Sequence, residues 1–326
     1  RTTAILSLAL GGANCAACKR VSDMIIQNNI SARSMDIELV PTNHVDLIEV
    51  AGRYASLKVY GGRLHCNKLQ DLPIEPSASI DAANRKLLSD YCVNDLIVTR
   101  ALYLALESQI ALRESLSAQY NIDLRSKSDA QIAENVIRAE VKRLSGRRVN
   151  VPDDQIGLRF KYLPPSFLGF DTPQLKQAFE TICNADFVIG DGGRITTPKA
   201  ISDLEIKLDH TSYTFGIGGL HSMEKSTAHK VDDEFVLIDR DVTSYYPAII
   251  LNCGLAPEHL GQHFTDVYQS IVERRIEAKR AGDKTTSDTL KITINGSFGK
   301  FGSKWSVLYS PQLLIQTTIT GQLSLL

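Results

Sequence analysis

The sequence predicts a mixed α/β fold of the α+β kind, on three observations. Asp81 to about Ser117 contains no Gly or Pro and spaces its apolar residues as a helix does. A later region, punctuated by Pro164-Pro165 and the turn Gly190-Asp-Gly-Gly193, breaks into short strand-like runs. Beyond it an apolar run, Phe235 to Ile238, leads into an acidic turn and then into two further helical stretches. With 326 residues, 43% hydrophobic and 22% charged, the chain can bury a core large enough for two domains or one with subdomains.

In chain order, residues 1–60 mix short apolar runs (Ala4 to Leu10, Asp36 to Val40, Val45 to Val50) with a helical stretch at Val21 to Gln27, and read as α/β. Ser56 to Pro76 reads as turn-rich, with Gly61-Gly62 as its punctuation. In the helix that follows, Tyr91 and Asp95 are four residues apart and share a face. Asp129 to Ser145 is expected to be an amphipathic helix with Ser128 as N-cap and Ile132, Val136, Ile137, Val141 and Leu144 turned inward. Lys142, Arg143, Arg147 and Arg148 cluster at its end, as a contact for template phosphates or as a solvated basic helix end. Tyr213-Thr-Phe-Gly-Ile-Gly218-Gly219 ends in a glycine pair that permits close backbone approach to a phosphate.

The run Phe235 to Ile238 is expected to be a strand that delivers Asp241 to a tight turn through Ser244, Tyr245, Tyr246 and Pro247. There a carboxylate, backbone amides and a hydroxyl can meet a phosphate. Helices at Gln262 to Ala281 and at Thr286 to about Ser297, joined at Gly282-Asp283, run antiparallel. They aim Arg275, Lys279, Lys291 and Asn295 at a common groove, with Phe264, Val267, Tyr268, Ile271 and Val272 on the inner side.

The 36 Lys+Arg against 37 Asp+Glu give no global field for a polyanion, although a local basic groove needs none. The six cysteines at 15, 18, 66, 92, 183 and 253 include a single C-x-x-C, read as buried reduced thiols rather than a zinc site. No secretory signal and no apolar run of 18 or more is seen, which implies a cytoplasmic setting and no membrane partner. The chain starts at Arg1 and stops at Leu326 within an apolar, Thr-rich segment, so it is expected to be a piece of a longer protein.

Asp241-x-x-Ser244-Tyr245-Tyr246-Pro247-x-Ile249-Ile250 resembles the first polymerase motif of family B DNA polymerases, D-x-x-S-L-Y-P-S-I-I. About fifty residues on, Lys291-Ile-Thr-Ile-Asn295-Gly296-Ser297-Phe298-Gly299 resembles the second, K-x-x-x-N-S-x-Y-G, with Gly296 for the usual Ser and Phe298 for the usual Tyr. The wider phrasing is most similar to phage and prophage members. Tyr91-Cys-Val-Asn-Asp95 is similar to the third exonuclease motif, Y-x-x-x-D, and lies about 146 residues ahead of Asp241. The pair Asp36-Ile-Glu38 is not taken as the first exonuclease motif, which belongs much farther ahead. Thr3 to Leu10 has the character of the segment after the second.

The resemblance implies the end of an RNase-H-like 3′–5′ exonuclease domain (1–120), a connecting region (121–230), and a partial palm (231–326) with two-helix fingers (262–302). The implied function is DNA-dependent DNA polymerisation from deoxynucleoside triphosphates on primer–template DNA, with proofreading and replication accessory proteins as partners. The setting is the cytoplasm, the host's if the protein is phage-encoded.

It implies two Mg²⁺ ions, or Mn²⁺ in their place. Asp241 and the Val242 carbonyl serve as polymerase ligands and Asp95 as an exonuclease ligand beside the Tyr91 hydroxyl. Ser244, Tyr245, Arg275, Lys279 and Lys291 hold the triphosphate, and Tyr246 lies under the sugar. Asn295 and Gly299 flank the nascent base pair, and Gly218 and Gly219 touch DNA. The second catalytic acid pair is expected after Leu326 and the remaining exonuclease acids before Arg1. The chain as given is therefore expected neither to extend nor to proofread a primer. The short span from Asp241 to Lys291 leaves no room for the large insertion of protein-primed members, so nucleic-acid priming is expected. The alternatives are a non-catalytic DNA-binding module derived from such a polymerase and an RNase-H-like nuclease alone. The latter has no use for Asp241 or Lys291.

Overall fold

The computed structural model describes residues 2–226, 228–242 and 244–326. Thr243, inside the first polymerase-like motif, lies outside the described residues. The chain falls into two compact units, Arg1–Asp46 and Leu47–Leu326.

The first unit is helical. Helix α1 (Thr2–Leu10) and helix α2 (Cys15–Gln27) are followed by a 3₁₀ turn at Ala32–Met35. The Asn14 side chain caps α2 by accepting from the Ala17 N–H at 2.9 Å, and the Val40 N–H donates to Ser7 Oγ at 2.9 Å. This corrects the α/β expectation for residues 1–60. Ala4 to Leu10 is rich in Leu and Ala, which favour helix when no neighbouring strand offers a ladder. Asp36 to Val40 is irregular, and Val45 to Val50 ends in the single turn α3 (Leu47–Val50). None of the six cysteines is buried, and all are free; Cys15 and Cys92 are exposed.

In the second unit, α4 (Leu57–Arg63) takes in Gly61-Gly62, the pair expected to form a turn. A Cβ on Gly61 would lie 2.7 Å from Leu69 Cδ2 and 2.9 Å from Val98 Cγ1, so glycine lets this helix settle on its neighbour. That neighbour is the long predicted helix, which is two: α5 (Ala82–Ala105) and α6 (Glu107–Tyr120), broken at Leu106. Helix α7 (Asp129–Ser145) matches its expected bounds. Its capping box pairs Ser128 with Gln131, and Ile132, Ala133, Val136, Ile137 and Val141 are buried.

The connector holds two small antiparallel sheets. Strands β1 (Arg159–Phe160), β2 (Phe187–Ile189) and β3 (Ile195–Thr196) form the first in that order, with α8 (Pro173–Asn184) between β1 and β2. After α9 (Lys199–Ser202), the meander β4 (Glu205–Leu208), β5 (Thr211–Phe215) and β6 (Leu220–Met223) forms the second, with Ile206 opposite Tyr213 and Phe215 opposite Leu220.

The C-terminal part is helical: α10 (Tyr245–Asn252), α11 (Gly261–Arg280), α12 (Lys284–Phe298) and α13 (Pro311–Ser324). Two cores result. Apolar residues of α7, α11 and α12, with Phe301 and Leu313, make the first; α8, the sheets and Ile315, Ile319 and Leu323 make the second. Helix α13 therefore belongs to both and is buried around most of its girth. Its buried hydroxyls are satisfied locally, Thr317 and Thr318 donating to the Leu313 and Leu314 carbonyls at 2.8 Å, while Thr320 meets the buried Tyr162 hydroxyl at 2.9 Å. Among the described residues, no helix is long and apolar enough to cross a membrane.

The expected strand Phe235 to Ile238 belongs to neither sheet. Its four side chains are 63–76% exposed, and Asp241 and Val242 are exposed with them. An apolar run becomes a strand only when a neighbour supplies the other half of the ladder. Here the start of the run is tied to itself, with Asp232 Oδ1 accepting from the N–H groups of Glu234 and Phe235 at 2.9 Å.

Candidate functional site

The α11–α12 hairpin carries the cations. Its turn passes through Gly282 (φ 74°), and Asp283 caps α12 by accepting from the Thr286 N–H at 3.0 Å; its hydrogen bonds to Thr286 hold this carboxyl below the usual range. The inner face is as expected, with Phe264, Val267, Tyr268 and Ile271 buried and Val272 partly so. Burying that stripe forces the polar stripe outward. Arg275, Lys279 and Lys291 thereby come to line one hollow of ≈ 350 Å³ beside the turn, together with Lys284, Asp283 and Asp288. Four cations against two carboxylates leave it positive.

Asn295 does not open into this hollow. It faces an adjoining one of ≈ 730 Å³ between α12 and α6, which shares Lys284, Asp288 and Lys291 with the first. The common groove expected for all four residues is thus two hollows, with Lys291 on the divide. Lys284, Asp288, Lys291 and Asn295 follow one stripe of α12, whereas Arg275 and Lys279 reach over from α11 only near the turn. Lys284 and Asp288 were not singled out from sequence, although their i, i+4, i+7 spacing to Lys291 was there to be read.

Ser244 joins the first motif to this hollow. It sits in the left-handed region (φ 53°, ψ 46°) just before α10, and its hydroxyl does not cap the helix. Instead Ser244 Oγ accepts from Arg275 Nη1 at 2.9 Å, across 31 residues. Arg275 Nε is buried without a partner, which leaves a guanidinium donor uncommitted where an unmade hydrogen bond costs about 1–3 kcal/mol.

The two tyrosines diverge. Tyr245 donates to the Gly321 carbonyl at 2.6 Å, fastening α10 to α13. Tyr246 stacks on Phe298 with ring centroids 4.3 Å apart and planes 21° apart, and its hydroxyl donates to the Gly218 carbonyl at 3.3 Å. Burial pushes both phenols above their ordinary pKa. The three sequence-distant features Gly218, Tyr246 and Phe298 therefore meet. Gly219 closes the tight turn from β5 to β6 by accepting from the Gly216 N–H at 3.1 Å.

Gly296, which departs from the motif it resembles, has a steric reason. A Cβ there would lie 2.5 Å from the Asp129 carbonyl oxygen, because the start of α7 crosses α12 at this point. Gly299 meets nothing within 4 Å and stays open at the helix end.

Tyr91 and Asp95 share a face of α5 as expected. A hydrogen bond to Asp95, then burial, raises the Tyr91 pKa. Lys58 of α4 pairs with Asp71 and feels both residues, its pKa raised first by the Asp71 hydrogen bond.

Among the described residues, no three or more His, Cys, Asp or Glu side chains gather as metal ligands would. Asp241, on its exposed segment, and Asp95, on α5, belong to no such cluster among the described residues, whereas a two-ion site gathers several carboxylates. The donor set here falls short of that group. Compared with family models, with curated proteins and with solved structures, the chain matches none of them.

Proposed function

We propose that the chain is part of a DNA-dependent DNA polymerase of the family B kind. Residues 244–299 hold an incoming deoxynucleoside triphosphate, and Tyr91 and Asp95 belong to an associated 3′–5′ exonuclease. The observation that carries this reading is the Arg275–Ser244 hydrogen bond, which ties the first motif to the cationic hollow of the helix hairpin. Ser244 of one stretch accepts from the arginine that lines the hollow beside Lys291 of the other, and Arg275 keeps a buried donor free there.

In this reading Arg275, Lys279 and Lys291 neutralise the triphosphate, with Arg275 oriented by the Ser244 hydroxyl it donates to. Tyr246 supports the sugar on a ring braced by Phe298, and a ring packed against C2′ leaves no room for a hydroxyl. Asn295 and Gly299, farther along α12, flank the base. The RNase-H-like exonuclease and the palm belong to this proposal. Because the donor set falls short of two ions, the chain's own residues are assigned binding, orientation and charge neutralisation, and no chemical step.

Equilibrium binding of labelled dATP to residues 1–326 tests the reading. Arg275→Ala, Lys279→Ala and Lys291→Ala should each weaken binding by about ten- to a hundredfold, the equivalent of about 1.5–3 kcal/mol for a hydrogen bond to a charged group. Arg280→Ala should not. Equal affinity across all four variants rejects the assignment. A second reading, a DNA-binding module without catalysis, draws on the exposed placement of Asp241. DNA binding by the full-length protein with no primer extension would favour it.

A further inference from the structure

The basic run after α7 is divided by the fold. Arg143 turns back along the helix to Glu140, Nε to Oε2 at 2.9 Å. Arg147 and Arg148 instead line a hollow of ≈ 460 Å³ together with His259 and His263, which come from more than a hundred residues away. This hollow lies at the start of α11. The start has no side-chain cap, Leu260 being the N-cap residue, so the positive end of a 20-residue helix opens beside His263. From His263 to Lys279 is 16 residues, or about 24 Å along the helix axis, so the two cationic hollows sit at opposite ends of α11.

His259 has one ring nitrogen committed, with Nε2 at 2.8 Å from the Val307 carbonyl. A carbonyl only accepts, so Nε2 carries hydrogen in either charge state, and gaining a proton converts Nδ1 from acceptor to donor. The charged groups around the two imidazoles are Arg147, Arg148 and Asp153 from the loop after α7, Glu258 beside His259, and Asp266 one turn beyond His263 on α11. Asp266 is held by Gln262 at 2.8 Å. From the segment leading into α13 the adjoining hollow receives Tyr309, whose phenol burial pushes above its ordinary pKa, and the neutral Ser310 and Gln312. With neutral imidazoles the lining of the two hollows balances two arginines against Asp153 and Glu258; with both protonated, cations prevail.

We propose that this hollow binds a backbone phosphate of single-stranded DNA, as a site separate from the triphosphate hollow and strengthened when His259 and His263 are protonated. Its ligand class rests on the polymerase reading above; its geometry does not.

The test is fluorescence anisotropy of a labelled oligothymidylate of about 16 nucleotides with residues 1–326, at pH 6 and pH 8 and over about 50 to 200 mM salt. Arg147→Ala/Arg148→Ala should weaken binding about tenfold and flatten the log K against log salt slope by about 0.7, one phosphate contact's worth on a single strand. Lys142→Ala/Arg143→Ala, which removes equal charge outside the hollow, should change it far less. His259→Gln/His263→Gln should match wild type at pH 8 and lose the gain in affinity at pH 6. Inorganic phosphate should compete no better than chloride of equal ionic strength, whereas specific displacement would assign the hollow to free phosphate and overturn the DNA-backbone site. Equal losses in the two double-charge variants, or a pH response that survives loss of both histidines, would also overturn it. The same variants should bind dATP normally. Absence of both DNA and dATP binding in wild type sinks the polymerase reading with this one, while DNA binding indifferent to Arg147 and Arg148 sinks this one alone.

Discussion

Replacing Gly296 with Ala should destabilise the second unit, against the direction helix propensity predicts. In a helix interior, Gly to Ala gains about 0.8–1 kcal/mol. At Gly296, however, the added Cβ would stand 2.5 Å from the Asp129 carbonyl oxygen, 2.9 Å from its carbon and 3.1 Å from Ala130 Cα. Real contacts of this kind stay above 3.0 Å, so the start of α7 must move away from α12 by at least about 0.5 Å. That end of α7 is held by the buried Arg113, whose Nη2 donates to Asp129 Oδ1 at 2.6 Å and whose Nε donates to the Lys127 carbonyl at 2.9 Å. The shift therefore strains a buried charged network as well as a packed interface. Overpacking costs about 1–3 kcal/mol, and the backbone atoms involved cannot rotate aside, so the upper part of that range applies. After subtracting the propensity gain, a net loss of about 1–2 kcal/mol remains, or a fall of roughly 2–8 °C in Tm for a unit of this size. Thermal unfolding followed by circular dichroism reads it, with Gly299→Ala as control. Gly299 meets nothing within 4 Å, so its variant should be neutral or slightly more stable. If Gly296→Ala melts at or above wild type, the close crossing of α7 and α12 is wrong, and with it the explanation of why glycine replaces serine in this motif.

On the proposed polymerase reading, Tyr246→Ala in the full-length protein should raise ribonucleotide incorporation far more than it lowers deoxynucleotide incorporation, and Phe298→Ala, which removes the stacked ring 4.3 Å away, should act in the same direction but more weakly; parallel losses for both nucleotides would remove Tyr246 from sugar discrimination. Asp95→Ala in the full-length protein should abolish primer degradation and spare extension, so degradation at the wild-type rate would return Tyr91 and Asp95 to the role of an ordinary surface pair. The Arg125 side chain lowers the Asp123 pKa to about 2, so the pair's contribution is present above the unfolded value of about 3.9 and lost as pH falls through about 2. Because Asp123 is largely exposed, Asp123→Asn should cost under about 1 kcal/mol at pH 7 and nothing at the acid end; a loss independent of pH would refute the pairing. Partial burial raises the Cys183 and Cys253 thiols, so a maleimide should label the exposed Cys15 and Cys92 first, and mass spectrometry of the peptides reads the order.

What the sequence determined by itself is what depends on neighbours within a few residues. Helix α7, its Ser128 cap, and the hairpin of α11 and α12 with a turn at Gly282 were legible because capping, 3.6-residue periodicity and glycine chemistry act over one or two turns. The cations of α11 and α12 were legible for the same reason. The tertiary structure alone decided what depends on distant partners. Phe235 to Ile238 has the composition of a strand and is unpaired, since a strand exists only through its neighbour. Gly61-Gly62 looked like a turn and is helix, because Val98 and Leu69 press on it from outside. Nothing local says that Arg113 is buried, that Asn295 opens away from Arg275, that Tyr246 meets Phe298 and the Gly218 carbonyl, or that His259 and His263 face Arg147 and Arg148. Those meetings are set by burying the apolar stripes of α7, α11, α12 and α13 together. Burial is non-directional, and only the packed whole determines which polar residues it leaves side by side.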